Sequence, residues 1–135
     1  MSTQSQYLIT AVIDGTPTEA WDTLSGGETT AEITKRRPGG TTKEKSYASR
    51  PTTGAVTIGR GYERERDIAL GRRLRARVGR ARVVITEQPL DDDGLPWGKP
   101  TIYIGRLASI NTGDVDSNSD EPRECELVAE IEEVA

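Results

Sequence analysis

A β-rich α+β fold is predicted for this chain on three observations. Apolar residues fall in short β-branched clusters separated by turn signals, a single stretch has helical character, and strands flank that helix without a repeating strand-helix-strand order. The 135 residues fit one domain, 1–135, because two cores drawn from this length would each be marginal.

The first strand is predicted over Gln6 to Ile13, where β-branched residues run into the turn dipeptide Asp14-Gly15. A second covers Glu19 to Leu24 and closes on Ser25-Gly26-Gly27. Thr29 to Arg36 alternates Ala31, Ile33 and Lys35 with Thr30, Glu32 and Thr34, which is strand periodicity. Pro38-Gly39-Gly40 breaks that strand, and the chain from Lys35 to Thr53 is too polar for a core element, so it reads as an exposed loop or hairpin arm.

Ala55 to Tyr62 returns to strand chemistry, with Val56, Ile58 and Tyr62 on one parity and Thr57, Gly59 and Gly61 on the other. The nearly bare glycine face is expected to admit a close neighbour, here the following helix. That helix spans Glu63 to Val78, with Glu63, Glu65 and Asp67 early, arginines late and Gly79 at the stop. Its apolar stripe is Leu70, Leu74 and Val78 with Gly71, rimmed by Arg66, Arg73 and Arg77 on one side and Arg64, Arg72 and Arg75 on the other. Val83 to Thr86 forms a buried strand, ended by Pro89 and the Asp91-Asp92-Asp93-Gly94 turn. Thr101 to Ile110 follows, with Ile102, Ile104, Ala108 and Ile110 expected on one face. After a polar loop, Asn111 to Glu121, the last strand runs from Glu124 to Val134. Cys125, Leu127, Ala129 and Ile131 alternate there with an acidic face.

Composition narrows the function classes. Hydrophobic residues make up 33% and aromatics 4%, with no Phe, which is thin for a private core and suggests burial against neighbours. Between Lys35 and Arg82 stand fifteen basic and four acidic residues, against three basic and eighteen acidic elsewhere. Such segregation suits an anionic partner or copies packing basic part against acidic part. With no histidine and one cysteine, Cys125, the chain lacks the usual neutral-pH base, a metal-binding cluster and an internal disulfide. No catalytic, cofactor-binding or metal site is therefore predicted. No signal-peptide pattern occurs in Met1 to Asp14 and apolar runs are short, so the expectation is synthesis in a cytoplasm and no membrane partner.

Three motifs have plainer explanations. Gly59-Arg60-Gly61 lacks the third glycine of a dinucleotide fingerprint and the Lys-Ser/Thr of a phosphate loop, so close packing explains it better. Asp114, Asp116, Asn118 and Asp120 open like a calcium loop, but Ser119 replaces the turn glycine and Cys125 the closing glutamate, which leaves a solvated loop. Arginines on both rims of the helix, instead of opposite its apolar stripe, favour docking on a sheet over lying on DNA.

An ordered set of segments resembles the bacteriophage tail tube (major tail protein) family. These are Arg37-Pro38-Gly39-Gly40 before a polar arm, Thr52 to Ile58 followed by Tyr62 and the Arg-Asp-Ile-Ala-Leu helix, Thr86 to Asp91 before a glycine turn, and Ile102-Tyr103-Ile104-Gly105. The resemblance implies a non-enzymatic virion protein. Its fold would be mainly β, an antiparallel β-sandwich or partial barrel with one flanking helix and a long β-hairpin arm, completed by oligomerisation into a ring. Rings, commonly of six, would stack into the inner tube of the tail. DNA would pass through the lumen without sequence-specific binding. Partners implied are copies of itself, the tape-measure protein, the tail terminator, the baseplate and, in a contractile machine, the sheath. The stacking arm would carry Arg36, Arg37, Pro38, Gly39, Gly40, Lys43, Lys45 and Arg50. If the sheet lines a lumen, Glu124, Glu126, Glu130 and Glu132 would repel polyanions there. The alternative is a monomeric phage accessory or nucleic-acid-binding module using the basic segment 35–82.

Overall fold

A computed structural model describes residues 6–36, 39, 45–48, 50–113 and 123–135. Its strands are β1 (Tyr7–Ile13), β2 (Thr16–Trp21), β3 (Thr23–Gly26), β4 (Thr29–Thr30), β5 (Ile33–Arg36), β6 (Lys45–Ala48), β7 (Thr52–Thr53), β8 (Val56–Gly61), β9 (Arg82–Pro89), β10 (Thr101–Asn111) and β11 (Glu124–Val134), with helix α1 (Arg64–Arg75) between β8 and β9. Seven strands form one antiparallel sheet in the order β2-β1-β9-β10-β11-β8-β3. The two edge strands, β2 and β3, are consecutive in the chain and separated only by Asp22. The sheet must therefore curl until its edges approach, as in a sandwich, without a backbone ladder closing it into a barrel. β4 pairs with β7, and β5 pairs with β6 as a hairpin in which Arg36 stands opposite Lys45.

One face of the curled sheet is dry. Ile9, Ala11 and Ile13 of β1, Val56 and Ile58 of β8, Val83 and Ile85 of β9, Leu107 of β10, and Cys125, Leu127 and Ala129 of β11 are all buried, and α1 covers them with Leu70 and Leu74. Fully burying a leucine such as Leu74 contributes about 2 kcal/mol.

Several expectations require correction. The strand expected over Glu19–Leu24 is two strands broken at Asp22. A bulge in the β1–β2 register places Glu19 at φ +66 and sends Thr18 and Trp21 inward together, so simple alternation fails. The strand expected over Thr29–Arg36 is split into β4 and β5, and Ile33 is exposed. In β10 the core side carries Tyr103, Gly105 and Leu107, not Ile102, Ile104 and Ala108; a second register shift after Leu107 then returns Ile110 to the core. Val78 lies beyond the helix, which ends at Arg75, and is 40% exposed. Asp67 occupies the buried stripe instead. The helix also packs over the Val56-Ile58-Arg60 side of β8, not over its glycine side. The calcium-like segment 114–120 falls outside the described residues.

Candidate assembly interface

The helix, β8 and the β2 edge of the sheet are joined through one buried arginine. Arg60 shares its strand parity with Val56 and Ile58, so its side chain enters the core, where it is 4% exposed. Its guanidinium donates to the backbone carbonyls of Thr18 and, at 3.4 Å, Ala20, both on β2, the opposite edge of the sheet. It also donates to the Asp67 carboxylate of α1 at 2.9 Å and lies 4.1 Å over the Trp21 ring. The β2 bulge turns these carbonyls towards Arg60, and Thr18 Oγ1 accepts from Trp21 Nε1 at 3.0 Å. One side chain thus ties β8, the neighbour of the β3 edge, to the β2 edge, across a gap that no backbone ladder spans.

Asp67 is fully buried, and burial by itself raises its carboxyl pKa. Hydrogen bonds from Arg66 and from the Glu63 backbone N–H, together with the Arg60 charge, outweigh that and hold the carboxyl below its ordinary value. The same hydrogen bond to Asp67 is the main reason the Arg66 guanidinium is held above its ordinary range. Arg66 also reaches Glu19 at 3.2 Å. At the far end of α1, Arg77 donates to Asp14 at 3.0 Å, which lowers the Asp14 carboxyl. Arg60, Arg66 and Arg77 are thereby engaged within the chain itself.

The remaining candidates are scattered over the surface. Arg73 is exposed on α1, whereas Glu124, Glu126 and Glu130 stand exposed on the face of β11 opposite the core. Glu126 and Glu124 pair with Gly59 and Gly61 of β8, so their carboxylates rise beside bare backbone. Glu132 is exposed and meets Arg106 at 3.1 Å. Gly39 and Arg50 are exposed, Arg36 and Lys45 face each other in the β5–β6 register, and Arg37, Pro38, Gly40 and Lys43 lie outside the described residues. Sequence reasoning missed the Arg60–Asp67 pair. The available signal was parity, because an arginine on the core side of a buried strand requires a buried acceptor.

No protein-family model matches the chain, and no curated protein does. Solved structures do share its fold. A chain in a structure described as the anti-feeding prophage baseplate, 6-fold symmetrised, matches with a TM-score of 0.74 at 18% identity, over 100% of this chain and 94% of that one. A chain of the anti-feeding prophage tube-terminating cap gives 0.70 at 12%, covering 100% and 89%. A chain of the sheath-tube complex of an extracellular contractile injection system gives 0.69 at 10%, covering 100% and 90%.

Proposed function

We propose that this chain is a non-enzymatic structural subunit of a phage-tail-like particle, forming stacked, six-membered rings that make an inner tube. The observation that carries this is the end-to-end agreement of its fold with chains taken from a baseplate, a cap and a sheath-tube complex of injection machines. A curled sheet whose edges do not close fits a subunit completed by neighbours, since joining edges between copies removes exposed ladder groups. The arm over residues 35–53, with its basic residues Arg36, Arg37, Lys43, Lys45 and Arg50 and its Pro38, Gly39 and Gly40, would reach the next ring. Glu124, Glu126, Glu130 and Glu132 would face the lumen, where repulsion keeps passing DNA from sticking. Tape-measure protein, terminator, baseplate and sheath would meet the same surfaces, and the protein would reside in the particle.

Negative-stain microscopy of the purified protein at high concentration tests this directly. Rings or tubes are expected, and a chain that stays at one-subunit mass in sedimentation refutes it. Deleting residues 39–49 should leave a folded subunit that forms rings without stacking. Tubes of ordinary length from that variant would remove the arm from the contact.

A further inference from the structure

β10 carries opposite chemistry at its two ends. Beyond its Asn111 end lies a cleft of about 240 Å³ whose walls include Arg72, Arg75 and Arg123. Arg75 and Arg123 both donate to Thr112 Oγ1, at 3.2 and 3.1 Å, which brings two guanidinium groups to one hydroxyl. No ion pair among the described residues reaches these three arginines. The carboxylate on the cleft wall, Asp67, already has both oxygens engaged by Arg60, Arg66 and the Glu63 N–H. Apolar surface adjoins the charge, because Ile68 is 38% exposed and Tyr62 stacks under Arg123 at 4.0 Å.

Beyond the Thr101 end stands the β9–β10 turn with the reverse charge. Asp91 Oδ1 accepts from the backbone N–H groups of Asp93 and Leu95, both at 2.9 Å, and Gly94 at φ +79 completes the turn. Gln6 Nε2 holds Asp92 at 2.8 Å, and Trp97 N–H bonds Pro89 O at 2.9 Å. This framework presents Asp92 and Asp93 beside two large apolar side chains, Leu95 at 61% and Trp97 at 64% exposure. An exposed tryptophan on a tied-down turn is the kind of anchor that interfaces concentrate their energy on, because little conformational freedom remains to be lost.

We infer that the Asp91–Gly94 turn of one copy, with Leu95 and Trp97, docks in the Arg72–Arg75–Arg123 cleft of a second copy. The occupant is identified by complementarity at two levels: guanidinium groups that meet no carboxylate among the described residues face the Asp92 and Asp93 carboxylates, and Leu95 and Trp97 meet Ile68 and Tyr62. Because turn and cleft lie at opposite ends of an eleven-residue strand, about 30 Å apart, one copy cannot satisfy its own cleft with its own turn. The contact is therefore head-to-tail, which propagates into a ring or a stack. It rests on the self-assembly proposed above and adds the residues that carry it.

Charge reversal tests it in the full-length protein. Asp92→Lys/Asp93→Lys and Arg72→Glu/Arg75→Glu should each raise the concentration for half-assembly about a hundredfold or more, since each sets like charges face to face. Neither pair is buried, so thermal melting should fall only slightly, through the lost Gln6–Asp92 and Arg75–Thr112 hydrogen bonds and the reversed charge in the last turn of α1, and the subunit should stay folded. Mixing the two variants, or combining all four substitutions in one chain, should restore assembly. Wild-type protein that assembles and is indifferent to both reversals removes this contact and leaves the functional proposal standing, whereas wild-type protein that never assembles removes both. Rescue of Arg72→Glu/Arg75→Glu by reversing Asp114, Asp116, Asp120 and Glu121, instead of the turn, would overturn the inference in favour of the chain's own acidic segment.

Discussion

Substituting Arg60 with Met should destabilise the subunit by about 3–5 kcal/mol. The change leaves the Thr18 and Ala20 carbonyls without their side-chain donor, and each such loss costs about 1–3 kcal/mol where the group is buried. It also strips the buried Asp67 carboxylate of one of its two cationic partners, and breaking a buried pair from one side costs about 3–5 kcal/mol. Arg66 and the Glu63 N–H remain on Asp67, which keeps the total from being the full sum of these figures. Asp67→Asn should cost a similar amount by leaving Arg60 as an uncompensated buried cation. Because both residues serve one network, the double variant Arg60→Met/Asp67→Leu should cost at least about 2 kcal/mol less than Arg60→Met and Asp67→Leu added. Urea unfolding in a Trp97→Phe background reports on Trp21, which lies directly beneath the guanidinium. The pH dependence gives an independent check. A carboxyl depressed in the folded state contributes stability above its unfolded pKa of about 3.9, and that contribution fades as pH falls through the lower folded value. The gap between wild type and Asp67→Asn should therefore narrow below about pH 4. Single-variant losses under about 1 kcal/mol, with additive costs, would refute the view that Arg60 ties β8 to the β2 edge.

Leu74→Asp places a charge at a site 1% exposed and should leave no cooperative thermal transition; an unchanged melting temperature would exclude the buried stripe. At Gly105 a Cβ would collide with the Glu130 backbone carbonyl at the β10–β11 bulge, so Gly105→Val should cost more than about 2 kcal/mol in denaturant unfolding, against under about 1 for Gly39→Ala in open space. Burial pushes the Cys125 thiol up, so a thiol reagent at neutral pH should label it only as fast as the subunit opens, with the rate rising in urea; immediate labelling in buffer would contradict the packing of β11.

Elements whose alternation runs unbroken were legible in the sequence. In β8 and β11 the buried residues follow the expected parity: Val56 and Ile58 lie opposite a face of Thr57 and glycines, and Cys125, Leu127 and Ala129 lie opposite a mainly acidic one. Failures cluster where the backbone departs from that period. The β2 bulge leaves no mark in composition, so Thr18 and Trp21, three residues apart, could not be paired as core residues in advance. β10 misled for a different reason. Both of its faces are half-buried and apolar, so the side richer in isoleucine, Ile102 and Ile104, carries the stronger signal although Tyr103, Gly105 and Leu107 face the core. The helix end was overestimated because Arg77 and Val78 continue its pattern, although Ala76 already caps it and Gly79 donates to Leu107 instead. In the candidate interface, the acidic face of β11 was visible, but the arginine cleft was not. It gathers Arg72 and Arg75 from the helix with Arg123 from just before β11, and no sequence spacing connects them.

Internal ion pairs also reduce the free charge of the basic segment. Fifteen basic residues between Lys35 and Arg82 suggest a polyanion partner when counted along the chain. Three of them, Arg60, Arg66 and Arg77, are held by Asp67, Glu19 and Asp14, and so contribute no free charge at the surface. A nucleic-acid groove needs cations spaced along one track and available to phosphates. Here Arg72 and Arg75 of α1, which make no ion pair among the described residues, instead line a cleft of about 240 Å³, room for a side chain or two and far too small for a duplex. Salt should therefore weaken association between copies while leaving the fold intact, since the internal pairs at Asp67 are buried and poorly screened. Sedimentation across a range of ionic strengths, with circular dichroism on the same samples, separates the two. Loss of both signals together at moderate salt would mean that the charges counted here as intersubunit are holding the subunit itself.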